Sequence, residues 1–257
     1  MVLTDRRVVV VTGGAGGIGT TIVRAFAEEG CSVAVVDTNA ELLEDVVHAT
    51  DDLAAQVVGF PADVANETAV ADAVRDIQDR FGRVDVLVNG AAIIARGDVL
   101  TLGLDDWRRT LEVNLTGTFL MSQMVAREMP SGGAIVNIGS INANRLNPNI
   151  VAYGVSKAGV AALTQGLAVA LAPRGIRVNG IIGGHVLTNF SKSRLEVPGE
   201  REKVVDSIPL HRLGEARDFA AAAIFLASDA AAWITGAMLP VDGGWLALDP
   251  TAAIPGR

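Results

Sequence analysis

Seven largely apolar runs punctuate the chain: Val8–Val11, Val33–Val36, Ala55–Phe60, Val84–Val88, Ala134–Ile138, Arg177–Ile182 and Met238–Val241. Most do not alternate between apolar and polar positions. They therefore predict strands covered on both faces, as in a parallel sheet between two helical layers. Helix-like stretches fall between them at Gly19–Glu29, Ala40–Thr50, Glu67–Arg80, Leu104–Met129, Tyr153–Ala172 and Asp218–Ser228. This alternation predicts right-handed crossovers and an α/β fold with a doubly wound, mostly parallel sheet. No linker or repeat stands out, so residues 1–257 read as a single domain. Pro173 and Gly175 end one helix, and the segment Pro130–Gly133 separates another from its strand. Residues 183–209 have no clean period and contain Pro198-Gly199, which predicts a substrate lid or, failing that, a surface insertion.

Composition narrows the function. One cysteine, Cys31, excludes an internal disulfide, and His48, His185 and His211 have no metal-ligand spacing. No metal is expected. The net charge of −8 offers no basic face for nucleic acid. The start MVLTDRRVVV lacks the long apolar core of a secretory signal. No uninterrupted apolar run reaches the span of about 18 residues that a membrane helix needs. The expected compartment is the cytoplasm.

The first strand runs into VTGGAGGIG, with glycines at 13, 14, 16, 17 and 19, and then into a helix. Such a turn lets backbone N–H groups approach a diphosphate at a helix N-terminus, as in a Rossmann fold. The next strand ends in Asp37, eighteen residues beyond Gly19. A carboxylate there is placed to accept hydrogen bonds from an adenosine ribose and to repel a 2′-phosphate. Thr38-Asn39-Ala40 carries no cation to neutralise that phosphate, so NAD is the expected cofactor. The competing reading makes Asp37 an N-cap of the helix from Ala40.

Tyr153 is the only tyrosine, and Lys157 follows one helical turn later. A nearby ammonium favours the phenolate, and a phenol so poised could move a hydroxyl proton while hydride leaves carbon. Ser140 stands at a strand end, where ligands of parallel sheets sit, and its hydroxyl could hold the substrate oxygen beside Tyr153.

These motifs together resemble the classical short-chain dehydrogenase/reductase family. The pattern runs from about Arg7 to Trp245: T-G-x-x-x-G-x-G over Thr12–Gly19, Asp63-Val64, Asn89, Asn114, Ser140, Tyr153-x-x-x-Lys157, Arg177-Val-Asn179 and Val241-Asp-Gly-Gly244. The resemblance implies an NAD-dependent oxidoreductase with Asn114, Ser140, Tyr153 and Lys157 as its catalytic set. Asn114 would hold a water leading to the lysine, and Lys157 would also bond the nicotinamide ribose. Cofactor contacts are implied from Gly13, Gly16, Gly17, Ile18, Gly19, Asp37, Asp63, Val64, Asn89, Gly90, Tyr153, Lys157, Gly184, Val186 and Thr188. Among these, Asp63 would meet the adenine amino group and Thr188 the carboxamide. Two departures stand out. Asn89-Gly90-Ala91-Ala92 replaces the usual N-N-A-G, which predicts rearranged bonds between the central strands. Gly183-Gly184 replaces the usual P-G, freeing the hinge of the lid.

Candidate substrate contacts are Arg96, Ser140, Asn142, Arg145 and His185, a polar group that suits a polyol, sugar, hydroxy acid or cyclic alcohol. The alternative is that the asparagines of Ile141–Asn149 bond their own loop. Competing functions are an NADPH-dependent ketoreductase, which Asp37 opposes, and a non-catalytic cofactor-binding regulator, which the complete catalytic set opposes. The helix around Lys157–Ala172 is apolar nearly all round. With the family's habit, this predicts a homotetramer, or else a homodimer.

Overall fold

The computed structural model describes residues 7–188, 191–192 and 195–249. Strands β1 (Val8–Thr12), β2 (Ser32–Asp37), β3 (Val57–Pro61), β4 (Val86–Asn89), β5 (Ala134–Ser140), β6 (Arg177–Gly183) and β7 (Met238–Val241) form one sheet. Its order is β3-β2-β1-β4-β5-β6-β7, and every neighbouring pair is parallel. The chain reverses its winding between β1 and β4, where Val10 pairs with Leu87 and Thr12 with Asn89. A crevice opens at the strand C-termini at such a point, and ligands of doubly wound folds bind there.

The unbroken valine runs are explained by the two layers. Val9, Val11, Val33, Val35, Val86 and Val88 face one core with Val23 and Phe26 of α1 (Gly17–Glu28) and Phe219 and Ala223 of α8 (Ala216–Ala227). Val10, Ala34, Val36 and Leu87 face the other, against Ile77 of α3 (Glu67–Phe81) and Met121 and Val125 of α5 (Gly117–Glu128). Both faces of each central strand are thus buried, at about 1.5–3 kcal/mol for each large side chain. Asn39 caps α2 (Ala40–His48) and Asn66 caps α3, each accepting from a backbone N–H three residues on.

Two expectations are corrected. The single helix expected over Leu104–Met129 is instead α4 (Leu104–Leu111), a π-helical turn (Glu112–Thr116) and α5. The turn carries Asn114, whose side chain is tied sideways to the backbone of Ile93; π turns of this kind gather at functional sites. Residues 183–209, expected to be irregular, contain α7 (Glu200–Asp206), whose Val204 joins Leu195, Ile208 and Leu213 in a small core beside Trp245. Residues 189–190 and 193–194 of the expected lid and residues 250–257 of the tail lie outside the described residues.

Helix α6 (Val151–Leu171) has its own surprise. With its flanking turns it is long and apolar enough, by length and composition alone, to cross a membrane. That exceeds the reading of the uninterrupted runs, because the helix carries scattered polar residues. Here it packs along β5 and β6.

Candidate active site

A cavity of about 980 Å³ opens at the C-terminal ends of the strands, lined from β1, β2, β5, β6 and the turns that follow them. Its floor at one end is the glycine turn between β1 and α1. Gly13 has φ +65° and gives its N–H to Val36 O (2.8 Å); a Cβ there would stand 2.7 Å from Ala91. A Cβ on Gly19 would stand 2.1 Å from Gly13 O, so the turn packs against itself only with glycine. Among the described residues nothing lies beside Gly17, and no side chain caps the N-terminus of α1. The backbone N–H groups of this first turn therefore suit a diphosphate. Asp37 lines the cavity at the end of β2; its Oδ2 accepts from Ala15 N (3.1 Å) and its Oδ1 from Asn39 N (3.3 Å). The N-cap of α2 is Asn39, so the capping role considered for Asp37 is filled by its neighbour.

At the other end β5 delivers Ser140 and α6 delivers Tyr153 and Lys157. Tyr153 and Ser140 line the cavity together. Ser140 Oγ accepts from the backbone and side-chain nitrogens of Asn142, at 3.2 and 3.4 Å, so it is a turn serine as well. Lys157 is 2% exposed; its Nζ donates to Ile138 O (2.8 Å) and lies 5.8 Å from the centre of the Tyr153 ring. Burial pushes the Tyr153 phenol up, with the Ser140 side chain pulling the other way. Burial lowers Lys157 from 10.5 to about 8. In the chain without ligand, burial thus favours the neutral form of both groups.

A family model described as enoyl-(acyl carrier protein) reductase matches residues 13–246. D-threitol dehydrogenase of Mycolicibacterium smegmatis is 42% identical over 244 residues, 94% of this chain and 93% of that protein. The 7alpha-hydroxysteroid dehydrogenase of Escherichia coli K12 is 36% identical over 93% of this chain and 94% of its own. A crystal structure of NAD⁺-bound xylitol dehydrogenase superposes with a TM-score of 0.87 at 32% identity, covering 93% of this chain and 98% of that one. This chain belongs to the classical short-chain dehydrogenase/reductase family. It is accordingly an NAD(P)-dependent oxidoreductase.

Not every residue implied by the family pattern reaches the cavity. Gly13, Gly16, Gly17, Ile18, Gly19, Asp37, Gly90, Gly184, Val186 and Thr188 line it; Asp63, Val64, Asn89 and Asn114 do not. Asp63 Oδ2 is paired with Arg109 (2.7 Å), and its Oδ1 accepts from Ala65 N (3.0 Å). An adenine amino group would meet a carboxylate already engaged by a guanidinium. Val64 packs against Gly117 at the start of α5. Asn114 is fully buried: Oδ1 accepts from Ile93 N (2.8 Å), and Nδ2 donates to Ile93 O and Ser156 Oγ, both at 3.0 Å. Its side chain anchors the segment after β4, and its backbone carbonyl accepts from Thr118 Oγ1 (2.8 Å). Asn89 Nδ2 bridges to Ser122 Oγ and Asn137 Oδ1, both 2.9 Å, while its buried Oδ1 meets no donor among the described residues.

Arg96, Ser140, Asn142, Arg145 and His185 all line the cavity. Asn147 also does, but its Oδ1 accepts from Asn149 N (3.0 Å), as the loop-bonding alternative expected. Sequence reasoning missed Trp245 and Ile150; Ile94 and Leu146 fall within segments expected to wall the pocket, Ile93–Gly97 and Ile141–Asn149, and Glu200, Lys203 and Ser207, from α7 and its end, fall within the expected lid. The only signal for the last group was the position of residues 183–209 after a strand end. Nothing in the local pattern marks Trp245.

Proposed function

We propose that this chain is an NAD-dependent dehydrogenase that interconverts a polyhydroxylated secondary alcohol and its ketone, with Tyr153 as general acid–base. The observation that carries the reading is that Ser140, Tyr153 and buried Lys157 line the same cavity as the glycine turn and Asp37. The glycine turn and the open N-terminus of α1 fit a dinucleotide diphosphate. Asp37 fits the adenosine ribose hydroxyls and opposes a 2′-phosphate, and no cation follows it in Thr38-Asn39-Ala40. When bound, the oxidised nicotinamide supplies the hydride acceptor and a positive charge.

Within this frame Ser140 orients the substrate oxygen. Tyr153 Oη takes the hydroxyl proton as the carbon gives up hydride, and returns it in the reverse direction. Lys157 holds the nicotinamide ribose and, when protonated, lowers the cost of the phenolate. Thr188 and Val186 belong to the nicotinamide end of the pocket. Residues 183–209 act as a lid that keeps water from the reacting carbon. The polyol dehydrogenases among the relatives, with Arg96, Asn142 and His185 on the cavity wall, favour a hydroxyl-rich substrate. A cyclic alcohol is the second reading, favoured by the apolar wall of Ile94, Leu146 and Ile150 and by the hydroxysteroid relative. The exposed Val155 and Val169 on α6 and Phe119 on α5 favour a homo-oligomer, a tetramer before a dimer, and the compartment we assign is the cytoplasm.

Replacing Tyr153 by Phe tests the assignment of the proton-transfer group. The expected loss in kcat is about 10²–10⁴-fold, with NADH binding retained. Near-normal turnover by that variant would remove Tyr153 from the mechanism.

A further inference from the structure

Trp245 joins three segments that are distant in the chain and that meet only at the cavity. Its Nε1–H donates to Ser207 Oγ (3.2 Å), at the end of α7. Arg145, from the segment after β5, sets its guanidinium carbon 5.0 Å from the indole centre. The same guanidinium donates from Nη2 to Leu246 O (3.4 Å) and Leu248 O (2.6 Å), on either side of the next turn of chain. His185, from the segment after β6, meets the indole edge-to-face at 5.4 Å. All of Arg145, His185, Ser207 and Trp245 line the cavity.

This arrangement changes what Arg145 is for. An arginine stacked on an aromatic face and bonded to two carbonyls is a brace, because its planar fork serves both contacts at once. Lysine would keep the charge and lose the stacking and the paired bonds. The indole so braced is the bulkiest side chain on the wall, and its only polar atom is already turned to Ser207. It can shape the pocket but gives the substrate no strong donor.

We propose that Trp245 is a specificity-determining wall of the substrate pocket and that Arg145 is the positioning residue that holds it. The wall admits slender polyols and turns away bulky ring systems. The assignment rests on the dehydrogenase reading given above.

The test compares Trp245→Ala, Arg145→Met and Arg145→Lys with the parent enzyme. The kcat and KM for a four-carbon polyol and for a bulky cyclic secondary alcohol are measured, along with NADH binding. Both Trp245→Ala and Arg145→Met should raise the ratio of kcat/KM, cyclic over acyclic, by about tenfold, the size expected when one pocket wall is reshaped. The change should lie mainly in KM, with NADH binding unchanged, and Arg145→Lys should resemble Arg145→Met. A ratio untouched by Trp245→Ala, or lysine restoring what methionine loses, would overturn the proposal and make Arg145 a substrate ligand.

A second measurement needs no substrate. In a Trp107→Phe, Trp233→Phe protein Trp245 is the sole indole, since the chain has Trp 3. Arg145→Met in that background should shift its emission to the red and open it to acrylamide. Unchanged emission would refute the brace. If the parent enzyme oxidised no alcohol at all, the dehydrogenase reading would fail while this measurement still decided the role of Arg145.

Discussion

Lys157 makes the cofactor-free protein a sensor of its own burial. Its Nζ is enclosed, bonded only to the carbonyl of Ile138 among the described contacts, and burial draws it from 10.5 to about 8. A displacement of that size corresponds to about 3 kcal/mol between the protonation states. Below pH 8 the lysine is protonated in both folded and unfolded chains, so the cost of burying the charge is present in full. Between 8 and 10.5 the unfolded chain binds the proton and the folded chain does not, so stability must rise with pH in that window. Cys31 works against this rise, because burial pushes its thiol up from 9.0 to about 11. The comparison that isolates Lys157 is therefore the parent against Lys157→Met, since Cys31 is common to both. Urea denaturation of both proteins without cofactor, at several pH values from 7 to 10, reads the difference. Relative to the variant, the parent should gain roughly 1 kcal/mol per pH unit above pH 8, and nothing below pH 7.5. Parallel stabilities across the whole range would show that Lys157 is not desolvated in solution and would refute the reasoning.

Two further outcomes are expected. NAD(H) should bind at least about tenfold more tightly than NADP(H), and Asp37→Ala with Thr38→Arg should narrow or invert that preference in direct titration, because a bidentate guanidinium suits a phosphate. Hydrogen exchange should show residues 195–209 less protected than β4 and β5 without ligands, and more protected once NAD and substrate are present; equal protection in both states would remove the lid.

Much of the architecture was legible because the strands are buried twice. A wholly apolar Val8–Val11 or Val33–Val36 has no other comfortable home than the centre of a parallel sheet, and the strand bounds shifted by no more than two residues. The glycine turn and Asp37 were equally readable, since each residue type answers a local steric or electrostatic demand. The π turn at Glu112–Thr116 was not: its cause is a tertiary bond from Asn114 to Ile93, which leaves the helical period around it intact. The pairing of Asp63 with Arg109 was hidden for a similar reason, because the two lie 46 positions apart. The substrate wall was the least legible part. Trp245, Arg145 and Ser207 come together only after β5, β6 and β7 are in register, and no spacing along the chain records that meeting.

The central claim is that the cavity oxidises hydroxyl-rich secondary alcohols with NAD. The direct measurement is the initial rate of NAD⁺ and NADP⁺ reduction by the purified protein across tetritols, pentitols, hexitols, hydroxy acids, cyclic alcohols including a hydroxysteroid, and simple alkanols. The highest kcat/KM is expected with NAD⁺ and an acyclic polyol, rising with pH because the Tyr153 phenol is held above its ordinary value. Best turnover on an unfunctionalised alkanol or with NADP⁺, or no turnover in any class while NAD still binds, would contradict it.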